Sequence, residues 1–400
     1  MQLTLPVILV LGLLAGITPL AIDAYLPSFP SVAEDLNQDI SNIQLTLSTY
    51  LIVFAVFQMF YGPLSDAIGR RKVVVTGLSI YIVGSLLCAV APTFEWLLFG
   101  RVVQAIGGAA VAVTIPALVK DNLTTNQFAK AMSMIMLVMA LAPLVAPILG
   151  GAILVLFNWH AIFIFLALLA SFSIYLFLRT IPETLAKENR TPLSFVSAIR
   201  NYITLARNPI IIGYIMAGAL HFGGLMCFVT GASFVYIKIY GISEGLFGFL
   251  FGANVLSMMA ATTINGRFVE RLGIDRLVRY AMFVLLIDAS LLIAMCFMER
   301  PPLAAIMLGM MLFTGPIGIL GSGFIGGAMR RAGSLNGSVA ALAGTLRFSM
   351  GALTGVVLSM LHNGTFVPML GIMSACGFGT YAIYRAVRKM EQQNPIHEAN

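Results

Sequence analysis

The chain has 400 residues, 59% of them hydrophobic and only 10% charged, with a mean hydropathy of +0.96. An ordinary soluble domain is roughly a quarter charged, so this composition excludes a soluble globular protein and leaves a polytopic membrane protein. The formal charge of +7 then has to be read by where the cations fall, not as a footprint for nucleic acid.

At about 20 apolar residues per crossing, the sequence predicts twelve spans, at 3–30, 42–64, 73–91, 95–119, 128–154, 159–179, 209–236, 243–264, 277–298, 302–327, 335–361 and 365–386. The first begins almost at Met1 with neither a basic leader nor a small-residue cleavage site, and reads as a retained helix rather than a signal peptide. It carries Asp23, followed by Pro27 and Pro30, which can open the backbone and line a cavity. Between the second and third spans Gly62 to Lys72 reads GPLSDAIGRRK, a tight hairpin loop with an acid, two glycines and three cations. Arg101 and Gln104 lie in the fourth span, where a guanidinium needs a partner or a wet cavity. After the sixth span, Pro182, Glu183, Lys187, Glu188, Arg190, Pro192 and Arg200 make the longest polar stretch inside the chain. The expected organisation is therefore a six-helix bundle at 1–181, a cytoplasmic linker at 182–208, a second bundle at 209–388 and a cytoplasmic tail at 389–400. The four cysteines fall in four different apolar segments, with no spacing for a metal or a disulfide frame, and read as small packing residues.

The cations test this map independently. With both termini inside, even-to-odd loops should collect Lys and Arg. Of the 23 such residues, all but Lys238, Arg300, Arg101 and Arg347 fall at those loops or the tail. The positive charge is thus an orientation signal. A faint internal repeat agrees with two halves: Gly62, Asp66 and Gly69 are matched by Gly266, Glu270 and Gly273, at corresponding ends of the second span of each half.

GPLSDAIGRRKVV resembles the signature after the second span in the major facilitator superfamily. Arg101-Val-Val-Gln104-Ala-Ile-Gly107 is similar to that superfamily's fourth-span motif, with Ala105 in place of a glycine. Ala142-Pro143-Leu-Val-Ala146-Pro147-Ile-Leu-Gly150-Gly151 resembles the fifth-span motif of drug-exporting antiporters, with two alanines for glycines. Asp23-Ala-Tyr25-Leu-Pro27-Ser-Phe-Pro30, Asn158-Trp159-His160 and Ile181-Pro182-Glu183-Thr184-Leu185 narrow the resemblance to Bcr/CflA drug-resistance transporters.

That resemblance implies an all-α fold of twelve transmembrane helices in two pseudo-symmetric six-helix bundles, and proton-coupled export of small amphipathic drugs across a bacterial inner membrane by a monomer. Partners are then the drug, protons and membrane lipid, with no nucleic acid, and no cofactor or metal is expected. Asp23 is the expected proton-responsive carboxylate, and the resemblance places Arg101 where it feels that charge, directly or through water and Gln104. Asp66, Arg70 and Asp121, with Gly62 and Gly69, are expected to latch the cytoplasmic face; charges that only fix topology are the plainer reading. Pro143, Pro147, Gly150 and Gly151 form the antiporter motif, and Tyr25, Tyr50 and Asn254 are candidates to line the cavity. Asp288, at the periphery of its bundle, is expected to have a structural partner, Arg347 has no acid close by in sequence, and His221 reads as a packed, hydrogen-bonded residue. A nutrient symporter on the same fold is the alternative. A membrane enzyme would need clustered His, Asp or Cys, or an HExxH, GxSxG or P-loop string, and the chain has none of these.

Overall fold

The computed structural model describes residues 5–121, 125–186, 188, 190 and 195–393. Lys187, Pro192 and residues 394–400 of the expected linker and tail lie outside the described residues. Among those described, regular structure is entirely helical, because a chain in lipid must satisfy its backbone internally. Twelve helices are long and apolar enough to cross a membrane: Leu5–Asp35, Ile40–Ile68, Arg70–Ala89, Phe94–Lys120, Met134–Leu156, Trp159–Thr180, Pro209–Ile239, Glu244–Leu272, Ile274–Met295, Leu303–Met329, Asn336–Met360 and Val367–Gln393. Large apolar side chains such as Phe157, 74% exposed, and Phe297, 87% exposed, point outward as lipid contacts would.

Several boundaries differ from the sequence expectation for local reasons. Pro27 has no N–H to return to the Asp23 carbonyl, so the first span is regular only to Asp23, tightens into a single turn at Leu26–Ser28 and resumes at Phe29. Ser28 stitches the break by donating its N–H (3.1 Å) and Oγ (2.7 Å) to the Tyr25 carbonyl. Pro316 interrupts the tenth span in the same way, between Leu303–Thr314 and Ile317–Met329. The predicted Gly62–Lys72 loop shrinks to one residue: the second span stays helical to Ile68 and the third begins at Arg70. Gly69 alone breaks the run, at φ 104° and ψ 148°. Its repeat counterpart Gly273 separates the eighth and ninth spans at φ 75° and ψ 149°. Both backbones lie where a side chain is strained, so glycine is required at each. The expected linker also holds a helix, Phe195–Ala206.

The chain divides into two compact units. The first comprises Met1–Phe195 with Ala232–Gly252, the second Val196–Gly231 with Ala253–Asn400. In the first, the third and fourth spans are pressed together at Gly84 and Gly107, where any Cβ would run into the backbone of Gln104 and Tyr81. Small residues let such helices approach in lipid, where no hydrophobic effect drives them together. In the second unit, the ninth span packs along the twelfth, and Ser374 Oγ donates across to the Ala289 carbonyl at 2.6 Å.

Candidate functional site

Arg101 is wholly buried in the fourth span and organises the centre of the first unit. Its Nη1 donates to Gln104 Oε1 at 2.6 Å and to the Ala21 carbonyl of the first span at 3.2 Å. Gln104 Nε2 donates to Ser85 Oγ at 2.9 Å, and Ser85 Oγ donates to the Tyr81 carbonyl at 2.8 Å. Every donor in this chain points the same way, so one continuous polar network runs from the fourth span into the third. The guanidinium carbon also sits over three rings, 4.4 Å from Tyr50, 5.0 Å from Tyr25 and 5.8 Å from Phe163. Cation–π attraction of ~0.5–2 kcal/mol per desolvated ring replaces part of the lost hydration. Nε and Nη2 have no hydrogen-bond partner among the described residues.

Asp23 is buried at the last regular turn of the first span, 6% exposed. Among the described residues its carboxylate has neither an ion pair nor a hydrogen bond, and Arg101 is joined instead to the carbonyl two residues earlier. The structure therefore brings Arg101 to the backbone of Asp23's helix and does not bring the two charges into contact. Tyr25 and Tyr50 are both fully buried. Tyr25 packs against Phe29 and Phe163, and its hydroxyl donates to Thr46 Oγ1 at 3.2 Å, since Thr46 spends its own proton on the Ile43 carbonyl. Asn254 is buried in the eighth span, within the second unit.

The second and third spans meet the fourth at a charge cluster. Arg70 lies 2.5 Å from Asp66 through Nη1 and 3.1 Å from Asp121 through Nε, and Nη1 also donates to Ser65 Oγ at 2.6 Å. Asp66 and Arg70 thus stay on one face across the Gly69 break. Gly62 faces Val113 across ordinary contact distance, so space alone does not demand glycine there. The sequence reading missed the residue that seats this cluster. Glu183 accepts the N–H groups of Arg70 (3.0 Å) and Arg71 (3.3 Å), and those of Thr184 and Leu185. It places a carboxylate on the otherwise unpaired N-terminus of the third span. Thr184 Oγ1 donates to Asp121 Oδ2 at 3.1 Å, tying the same segment to the fourth span. The Ile181–Leu185 string was the available signal; its partners more than 100 residues away were not.

The fifth span carries Pro143 and Pro147 inside its helix. At Gly150 a Cβ would strike the Ala24 carbonyl of the first span, and at Gly151 it would come 2.8 Å from the Glu244 carbonyl. The motif is therefore a surface for close helix contact. Nearby, Ser31 Oγ donates to Glu244 Oε1 at 2.7 Å, and Trp159 Nε1 donates to Asp35 Oδ2 at 2.9 Å. In the second unit, His221 Nε2 lies 3.0 Å from the Phe313 carbonyl, as a packed histidine should, and Arg347 sits 4.6 Å over the Phe222 ring. Asp288 is fully buried, and among the described residues neither of its oxygens has a hydrogen-bond partner, unlike the structural partner expected of it.

Known proteins agree with this architecture. The Major Facilitator Superfamily profile matches residues 11–355. A bicyclomycin resistance protein homolog of Haemophilus influenzae is 36% identical over 371 residues, 92% of each chain. Multidrug resistance protein MdtL of Escherichia coli is 25% identical over 369 residues, 90% of this chain and 89% of its own. Among solved structures the nucleoside transporter NupG superposes with a TM-score of 0.76 at 14% identity, covering 97% of this chain and 100% of its own, a likeness of fold. Twelve apolar spans, the buried Arg101–Gln104 pair and the Asp66–Arg70–Asp121 cluster fit the same conclusion: the chain is a multipass membrane transporter and belongs to the major facilitator superfamily.

Proposed function

We propose that the chain exports small amphipathic drugs across the bacterial inner membrane in exchange for protons. Two six-span bundles, 1–181 and 209–388, alternate access to a midplane site, and both termini lie in the cytoplasm. Drug export is supported by the names of the relatives, which are resistance proteins. The observation that carries proton coupling is Asp23, a buried carboxylate without a partner among the described residues, at the proline break of the first span. An ionisable group held this way inside a membrane span is a functional site by default. Gain or loss of its proton changes the charge beside a helix segment whose Ala21 carbonyl Arg101 already holds, so the fourth span responds through the backbone. Tyr25 and Tyr50 in the first unit and Asn254 in the second are the residues assigned to drug contact, and the Arg70 cluster latches the cytoplasmic face.

Everted vesicles carrying an imposed proton gradient test this directly. Adding a phenicol or bicyclomycin-like drug should provoke proton release with the native chain and none with Asp23→Asn. Full proton release from a folded, inserted Asp23→Asn protein removes Asp23 from the mechanism, and no drug-provoked release from the native chain removes antiport.

A further inference from the structure

The ninth span (Ile274–Met295) and the twelfth (Val367–Gln393) lie side by side in the second unit. At the end that the charge census assigns to the cytoplasm they leave a groove of about 790 Å³. Arg279 and Phe283 line one wall, and Tyr381, Arg385, Arg388 and Lys389 the other. Arg388 is held by Glu391 at 3.0 Å and Asp275 at 3.7 Å. Arg279, Arg385 and Lys389 form no ion pair among the described residues, and Arg385 donates to the Tyr381 hydroxyl at 3.3 Å. The groove thus holds several cations and only enough acid for one of them.

The groove is also graded by depth. Arg279 and Phe283 are four residues apart on one helix face, as are Tyr381, Arg385 and Lys389 on the other helix. On both walls the cations lie toward the helix end and an aromatic ring lies one turn deeper. Phe283 is 62% exposed, so the deep end of that wall is an open apolar surface. A free anion would use the rim alone. A molecule with a phosphate at one end and a hydrocarbon chain at the other uses both parts, at the depth each requires.

We propose that this groove is a binding site for an anionic phospholipid, with the headgroup phosphate between Arg279, Arg385 and Lys389 and an acyl chain along Phe283. The site is independent of drug export and would stand if the transported substrate proved to be something else.

The test uses the purified full-length chain in detergent, with phosphatidylglycerol, phosphatidylcholine or inorganic phosphate added separately. Native mass spectrometry counts retained lipid and thermal unfolding reports stabilisation. Phosphatidylglycerol should be retained and should raise the unfolding temperature, whereas phosphatidylcholine and phosphate should do neither. Arg279→Gln with Lys389→Gln should weaken phosphatidylglycerol binding by roughly fivefold per cation, while Arg279→Lys with Lys389→Arg should restore it. Arg267→Gln with Arg271→Gln removes the same charge elsewhere and should leave retention unchanged. Equal losses in the two neutralised pairs, or equal retention of phosphatidylcholine, overturn the site. Stabilisation by inorganic phosphate matching that by phosphatidylglycerol marks a free-anion site and overturns the lipid assignment.

Discussion

Replacing Glu183 tests whether the segment after the sixth span seats the Arg70 cluster. Glu183→Ala removes the acceptor for the Arg70 and Arg71 N–H groups at the start of the third span. Loss of such a cap costs ~0.5–2 kcal/mol, and loss of a carboxylate from a helix N-terminus a further ~0.3–1 kcal/mol. The local cost is therefore about 1–3 kcal/mol. Glu183→Gln keeps an amide oxygen as acceptor and loses only the charge, for ~0.3–1 kcal/mol. Hydrogen exchange of a peptide covering residues 66–75 reads this directly, because local opening is what exposes those amides. Exchange at the start of the third span should accelerate roughly 5- to 150-fold in Glu183→Ala and no more than about fivefold in Glu183→Gln, with remote spans unchanged. Native exchange in Glu183→Ala, or equal acceleration in both variants, refutes the capping role.

Within the cluster, Asp121 is 16% exposed and Asp66 46% exposed, so Asp121→Ala should cost more. Asp66→Ala should lower stability by no more than ~1 kcal/mol, and thermal unfolding of the two proteins should show that order. Gly150→Ala forces a Cβ onto the Ala24 carbonyl and should destabilise by ~1–3 kcal/mol, whereas Gly266→Ala, with nothing within 4 Å of its Cβ, should be neutral or slightly stabilising. Arg101→Lys keeps the charge but loses the planar guanidinium that lies over the Tyr25, Tyr50 and Phe163 rings while Nη1 reaches Gln104 and Ala21. Resistance conferred in an efflux-deficient host should fall sharply with Arg101→Lys and persist with Tyr50→Phe, which preserves the ring face under the guanidinium.

The twelve spans and the charge asymmetry were legible because lipid imposes a length and a composition on every crossing, and both are local properties of sequence. Gly69 and the Asp66–Arg70 pair were legible because four residues of helix bring them together. The Glu183 cap was not, since it depends on a contact between residues 183 and 70 that no local pattern encodes. Neither was the setting of Arg101. Sequence placed an acid and a cation in two spans and left their link open, direct or through water and Gln104; three aromatic rings, Gln104 and the Ala21 carbonyl surround the guanidinium. The prolines at 27 and 30 announced a break, and only the structure showed Tyr25 turned inward there to form one of those rings.

Arg101 also constrains how the protein enters the membrane. An arginine at the centre of a solitary apolar helix costs ~2.5–3.5 kcal/mol to insert; Arg101 lies about two turns into Phe94–Lys120 and carries a part of that cost, which its partners offset. Ala21, Tyr25, Tyr50 and, through Gln104, Ser85 all precede Arg101 in the chain. During synthesis they have already reached the bilayer when the fourth span emerges, and Phe163 arrives later to close the box. The order of residues along the polypeptide thus supplies Ala21, Tyr25, Tyr50 and Ser85 before the charge they serve, and the first four spans together hold every one of these partners except Phe163.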